Sequence, residues 1–261
     1  MNIAEVYSKF NKQLIILISG LSGTKKKSIS EKIKNKFNLE FINLDIYTMK
    51  DYNKEVSLPG GVSIVDWDDI ESYDWDSFNN DVNKSDKNLV ICGAYFPTQK
   101  LKFTPDIHVN IKISKQKLVE NRHKYMNDHP DEFPNFDKIN DSRTQLYIIN
   151  KITYPHYFKY LSESKINKTI DITESSEEKV YDEIFDYIIY FIKKFIDENI
   201  NKIVKFLDET KNKSNNHNKK ESNNHNKKES GDDDDVDKKK SEYSTESDED
   251  ETDLDDESIS D

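Results

Sequence analysis

The apolar runs of the chain predict a doubly wound α/β fold on a mostly parallel five-stranded sheet. Three observations carry that expectation. "QLIILIS" (13–19) is continuous and apolar, as in a strand covered on both faces. Beyond it, Ile29, Ile33 and Phe37 recur at helical spacing, and "LEFINLD" (39–45) then reads as a second strand. Three further runs, "KNLVICG" (87–93), "DIHVNIKI" (106–113) and "NKTIDI" (167–172), alternate with helical stretches at about 115–127, 141–163 and 176–207. Folds of this kind bind ligands at the carboxyl ends of their strands.

The final helix carries a start signal: Ser175, with Glu178 three residues on, makes a capping box. Its positions Tyr181, Ile184, Phe185, Ile188, Phe191, Ile192, Phe195 and Ile196 keep the 3.6-residue period, and Ile200, Ile203, Val204 and Leu207 extend the stripe. Such a helix is longer than a small sheet needs. A packing helix with a projecting end is the first expectation, and a surface for self-association or a protein partner the second.

From residue 210 the composition changes. "SNNHNKKE" occurs twice in tandem (214–221 and 222–229), and an acidic run closes the chain. Of the formal net charge of −12, −9 lies in residues 210–261. With so few apolar residues this segment is expected to be a disordered acidic tail. It could meet a basic partner or carry phosphate on Ser247 or Thr252. His217 and His225 are read as solvated. Residues 1–209 then form one domain of nearly neutral charge.

The opening residues "MNIAEVYSKFNKQ" lack the features of a secretory signal, and no apolar run reaches the ~20 residues of a membrane span. Cys92 is the single cysteine, which excludes an internal disulfide and a cysteine zinc cage. A soluble, intracellular and cytoplasmic protein is expected, without a membrane. An acidic chain lacking a basic face also argues against nucleic acid.

"GLSGTKKKS" (20–28) stands where a strand turns into a helix. A phosphate loop uses glycines to turn backbone amides around an anion, a lysine to neutralise it, and a hydroxyl to hold Mg²⁺. Counting G-x-x-x-x-G-K-[ST] from Gly20 puts Lys25 at the second glycine, Lys26 at the lysine and Lys27 at the hydroxyl, with Ser28 one place late. Gly20, Ser22, Gly23, Thr24, Lys25, Lys26, Lys27 and Ser28 are the phosphate-binding candidates, and Ser28 is the metal-ligand candidate.

"ISGLSGT" resembles the G-x-S-G-[ST]-G-K-[ST] loop of the uridine kinase and nicotinamide riboside kinase group of P-loop proteins. "LDIYTMKDY" looks like that group's D-x-F-Y element, and "VDWDDIESYDWDSF" (65–78) is similar to its W-D-x-P-x-S-x-D-[WF] segment. "DIHVNIKISKQKLVENR" resembles the passage into the group's lid. "TYPHYFKYLSESKINKTIDI" is similar to the stretch before its last strand. The resemblance runs in order over residues 13–172 and implies a nucleoside-kinase-like P-loop fold with a lid at about 122–143.

It further implies ATP and Mg²⁺ as cofactors and phosphoryl transfer to a hydroxyl of a nucleoside or related riboside. Asp45 would be the base, Lys26 the phosphate clamp, and Arg122 the lid cation with Arg143 beside it; these are the only arginines, against 37 lysines. Tyr47, Asp68 and Asp74 would meet the acceptor, with Trp67 and Trp75 as apolar surface. Lys25, Lys27 and Cys92 depart from the pattern, each where phosphate cradle or metal would be served. A degenerate P-loop protein acting as a nucleotide-binding or protein-interaction module is therefore the second expectation, and a nucleoside monophosphate kinase, short of arginines, the third.

Overall fold

The first strand, β1 (Ile15–Gly20), is buried at every residue, and the fold is assembled around it. The computed structural model describes residues 2–132 and 136–225. Before β1 lies α1 (Ile3–Asn11), opened by Asn2, whose side chain accepts from the Ala4 amide while Glu5 answers the Asn2 amide. After it come α2 (Lys26–Phe37), β2 (Glu40–Asn43), a hairpin of β3 (Glu55–Ser57) and β4 (Ser63–Val65), and α3 (Trp75–Lys84). Next follow β5 (Leu89–Gly93), β6 (Ile107–Lys112), α4 (Lys115–Asp128), α5 (Phe136–Ile139) and α6 (Ser142–Ile148). A π-helical turn, Ile149–Thr153, leads into α7 (Tyr154–Ser162), β7 (Lys168–Asp171) and α8 (Glu177–His225).

Five strands pair in the order β2-β5-β1-β6-β7, all parallel, so β1 is central and the connections reverse direction on either side of it. This is the doubly wound sheet that the apolar runs predict. On one face α1, α2 and α8 cover Ile16, Ile18, Val90, Val109 and Ile111; Val180, Ile184, Ile188 and Ile192 of α8 are buried there at helical spacing. The other face packs Leu17, Leu89 and Ile91 under Trp75, Phe78 and Val82 of α3 and Tyr154, Tyr157 and Tyr160 of α7. A smaller cluster joins Leu58 of the hairpin to Met126, Ile139, Ile148 and Ile152.

Several local expectations need correction. The cap of α8 is Ser176, which accepts from the Lys179 amide at 3.2 Å, one residue later than the Ser175 box; Glu178 instead pairs with Lys32. The helix also runs on past 207 to His225, because no glycine or proline stands between Pro155 and Gly231 to end it. The stretch at 141–163 is not one regular helix. Pro155 cannot donate to the carbonyl four residues back and its ring crowds it; the Tyr154 amide bonds Ile149, five back, giving a π turn.

The chain divides into one unit at Met1–Leu207 and a second at Asp208–Asp261, whose described residues are helical. Residues 226–261, including Ser247, Thr252 and most of the expected tail, lie outside the described residues. No described helix is long and apolar enough to cross a membrane.

Candidate functional site

Gly20 ends β1 because nothing larger fits: a β-carbon there would lie 2.7 Å from the Ile111 carbonyl oxygen and 2.7 Å from Thr24 Oγ1. The chain then turns into α2 with Gly23 at φ 92° and Lys25 at φ 61° and ψ 14°. Lys25, at the expected glycine position, thus takes a left-handed conformation that costs an L-residue roughly 1–2 kcal/mol. Thr24 is buried and closes the loop by donating Oγ1–H to the Leu21 carbonyl at 2.8 Å. Asn121 of α4 braces it from outside, donating Nδ2–H to the Gly23 carbonyl at 2.9 Å. No sequence pattern marks Asn121.

Lys26 is the first residue of α2 and half-buried, while Ser22, Lys25 and Lys27 are exposed. Free amides at a helix N-terminus, a glycine turn and three adjacent lysines make an anion site suited to phosphate. The metal side differs. Ser28 donates its hydroxyl to Glu177 Oε1 of α8 at 2.5 Å, and Lys32 Nζ lies 3.3 Å from that same oxygen. The Ser28 hydrogen bond, reinforced by Lys32, holds the Glu177 carboxyl below its ordinary range. Cys92, at the end of β5, donates its thiol to Asn43 Oδ1 at 3.4 Å. Burial pushes that thiol up to about 12, so it stays neutral although Lys26 and Lys27 pull the other way.

Lys27 is a cation and Cys92 a neutral thiol where oxygen ligands would stand, whereas Ser28, whose proton goes to Glu177, keeps its oxygen lone pairs. One hydroxyl is a thin donor set for Mg²⁺, which would take its other oxygens from phosphate and water. Among the described residues, no group of three or more His, Cys, Asp or Glu side chains could hold a metal.

Asp45 sits in a 3₁₀ turn, Leu44–Tyr47, directly beyond β2. Its amide is held by Asn43 Oδ1 at 3.2 Å, and its exposed carboxylate takes no hydrogen bond or ion pair from the described residues. Tyr73 is buried close by: burial first, then the carboxylates of Asp45 and Asp68, drive its phenol far above the ordinary value and keep it a neutral donor. Asp68 is fixed on two sides, by Tyr95, whose hydroxyl donates to the Asp68 carbonyl at 2.6 Å, and by Thr153, whose hydroxyl donates to Asp68 Oδ2 at 2.7 Å. Arg122 of α4 donates Nη1–H to Thr153 Oγ1 at 3.3 Å. Sequence reading picked out neither Tyr73 nor Thr153.

The remaining candidates have partners of their own or lie exposed. Tyr47 rests edge-on against Phe78, its hydroxyl donated to Asp81 at 2.8 Å. Asp74 is the N-cap of α3, its two oxygens taken by the amide and hydroxyl of Ser77, which lower its pKa. That engagement, dictated by the helix start, takes one acceptor site on each oxygen. Trp75 is core, donating Nε1–H to the Ile70 carbonyl, whereas Trp67 is 47% exposed beside Tyr52. Arg143 lies exposed on α6 and has no side-chain hydrogen bond or ion pair to the described residues.

Beneath the loop runs a buried polar chain. His108 Nε2 lies 2.8 Å from Ser19 Oγ and its Nδ1 3.1 Å from the Lys165 carbonyl, while Tyr157 donates to Asn110 Oδ1 at 2.8 Å. Burial lowers the His108 pKa to about 4. The imidazole is neutral at pH 7, and Nδ1–H faces the carbonyl that can accept it.

Among solved structures the chain is similar to an uncharacterized protein from Eubacterium ventriosum ATCC 27560, at 19% identity and a TM-score of 0.43 over 67% of this chain and 98% of that one. It is similar to a shikimate kinase from Acinetobacter baumannii in complex with shikimate (15%, TM-score 0.43, 70% and 97%). A gluconokinase from Sinorhizobium meliloti 1021 is a third (13%, TM-score 0.40, 72% and 95%). No family model matches the chain, and no curated protein matches it.

Proposed function

We propose that the protein binds ATP at the loop 20–28 and transfers a phosphoryl group to a hydroxyl of a nucleoside or related riboside. The observation that carries this reading is that the glycine turn after β1 and the carboxylate of Asp45, which takes no hydrogen bond from the described residues, lie at the carboxyl ends of β1 and β2, the two strands that flank β5. Lys26 and the loop amides would hold phosphate oxygens, Asp45 would take the proton of the attacking hydroxyl, and Arg122 would supply charge over the transferred group. Asp68, with Oδ2 held by Thr153, has Oδ1 available to accept from a second acceptor hydroxyl.

The acceptor side disfavours a substrate that already carries phosphate. Residues 43–81 hold ten acidic side chains against Lys50 and Lys54, and Lys54 is tied to Asp69. A nucleoside monophosphate would meet a field of its own sign. An uncharged sugar, by contrast, offers hydroxyl donors to carboxylate acceptors. No step is assigned to Mg²⁺.

The test is phosphoryl transfer from ATP to a panel of nucleosides by wild type and by Asp45→Asn. The expected result is at least ~100-fold loss in the variant with ATP affinity unchanged. Undiminished turnover would remove Asp45 from the chemistry. A second reading, a nucleotide-binding module without catalysis, is favoured by the Ser28–Glu177 contact and the neutral Cys92; ATP binding with no transfer to any acceptor would select it.

A further inference from the structure

Thr153 connects the two halves of the site. It is 2% exposed, and its one hydroxyl proton goes to Asp68 Oδ2 at 2.7 Å while a lone pair accepts Arg122 Nη1–H at 3.3 Å. Arg122 forms no ion pair with a described carboxylate, and Thr153 is the described side chain it is bonded to. Asp68 likewise takes no other side-chain donor among the described residues. A cation and a carboxylate are therefore held apart by a single hydroxyl, with neither neutralised by direct contact.

Thr153 is the last residue of the π turn that leads into α7. Asp68 is meanwhile pinned from behind through its backbone by Tyr95, which packs on Tyr160 of the same helix α7 at 4.7 Å between ring centroids. Asp68 and Thr153 thus rest on one rigid support. Arg122 comes from α4, whose neighbour Asn121 grips the phosphate loop at Gly23. The hydrogen-bonded path runs from Asp68 through Thr153 to Arg122, and by the next residue of α4 to the loop.

We propose that Thr153 is a positioning residue that couples acceptor binding at Asp68 to the placement of Arg122 over the nucleotide, so that each substrate strengthens binding of the other. This rests on the phosphoryl-transfer reading. An acceptor hydroxyl donated to Asp68 competes for the electron density that draws the Thr153 proton. Weakening that bond frees the Thr153 oxygen and loosens its hold on the guanidinium, which then moves to phosphate at little cost. Without the hydroxyl, Arg122 and Asp68 respond to their ligands separately.

The experiment measures KM for ATP at low and at saturating nucleoside in wild type, Thr153→Val and Thr153→Ser. A coupling of ordinary size lowers KM for ATP about 5- to 10-fold on acceptor saturation in wild type. Thr153→Ser, which keeps the hydroxyl, is expected to retain that ratio, and Thr153→Val to bring it to about 1. Wild-type transfer with the same ratio in Thr153→Val overturns the inference and leaves the proposed function standing. If wild type transfers nothing, the proposed function fails, and thermal unfolding still decides the bridge. The Tm shifts of Asp68→Asn and Arg122→Lys should then be non-additive in the native background and additive in Thr153→Val. Additivity in both backgrounds shows that Thr153 couples nothing.

Discussion

Lys25 occupies a left-handed backbone position at the entrance to α2, where glycine carries no steric penalty. Lys25→Gly is expected to raise stability by about 1 kcal/mol, part of the strain relief being offset by the greater freedom of glycine in the unfolded chain. Chemical denaturation midpoints check this, and a fall would mean that the lysine side chain contributes more than its backbone costs. His108 gives a pH-dependent counterpart. Its folded pKa of about 4 lies below the ordinary value near 6.5, so its contribution is complete above pH 6.5 and is lost as pH falls from there to 4. The loss is on the order of 3 kcal/mol. Thermal melts between pH 7 and 4 should show it in wild type and show a shallower slope in His108→Gln.

The contact between α2 and α8 belongs to the scale of elements. Ser28 and Glu177, 149 residues apart in sequence, tie the helix that follows the glycine turn to the first turn of α8. A double-mutant cycle of Ser28→Ala and Glu177→Ala is expected to give a coupling of about 1 kcal/mol, as for a hydrogen bond to a partly exposed charged group. A coupling near zero would mean that burial of Val180 and Ile184 alone seats the helix. How legible each element is in the sequence follows from where its determinants lie. The inner strands are visible because a strand covered on both faces is mostly apolar, as Ile15–Gly20 is apart from Ser19, while the edge strands Glu40–Asn43 and Lys168–Asp171 keep only part of that signal. The first helix was legible in principle from Asn2 and Glu5, and the hairpin from "PGG" at 59–61, since Gly60 and Gly61 both need positive φ. The π turn was not, because a proline breaks the helical register without saying which neighbour gains a partner.

At the scale of the molecule, the first unit ends at Leu207. Ending the chain there should leave the Tm within about 2 °C of the full-length value, well under 1 kcal/mol. A larger fall would assign later residues to the core. The candidate site was only partly legible for a related reason. Asp45 and Lys26 stand just beyond a strand and at the start of a helix, where a motif keeps its spacing, and Arg122 is one of only two arginines in the sequence. Tyr73, Thr153 and Asn121 reach the site from α3's approach, the turn before α7 and α4, so only the assembled sheet brings them in. Asp74 shows the converse, an acid that resembles a ligand in sequence and caps a helix in space.

The packing of α1 has a consequence in time. Tyr7 lies against Phe191 and Phe195 of α8, at 6.0 and 4.5 Å between ring centroids, and donates its hydroxyl to Asp106. A ribosome adding 5 to 20 residues per second reaches those phenylalanines roughly 10 to 40 s after Tyr7 has been made. Throughout that interval Ala4 and Tyr7 have no native neighbour from α8, and the central strand waits likewise for β5 and β6. The residues of α1 are thus made early and enclosed late, only once the helix that covers them has emerged.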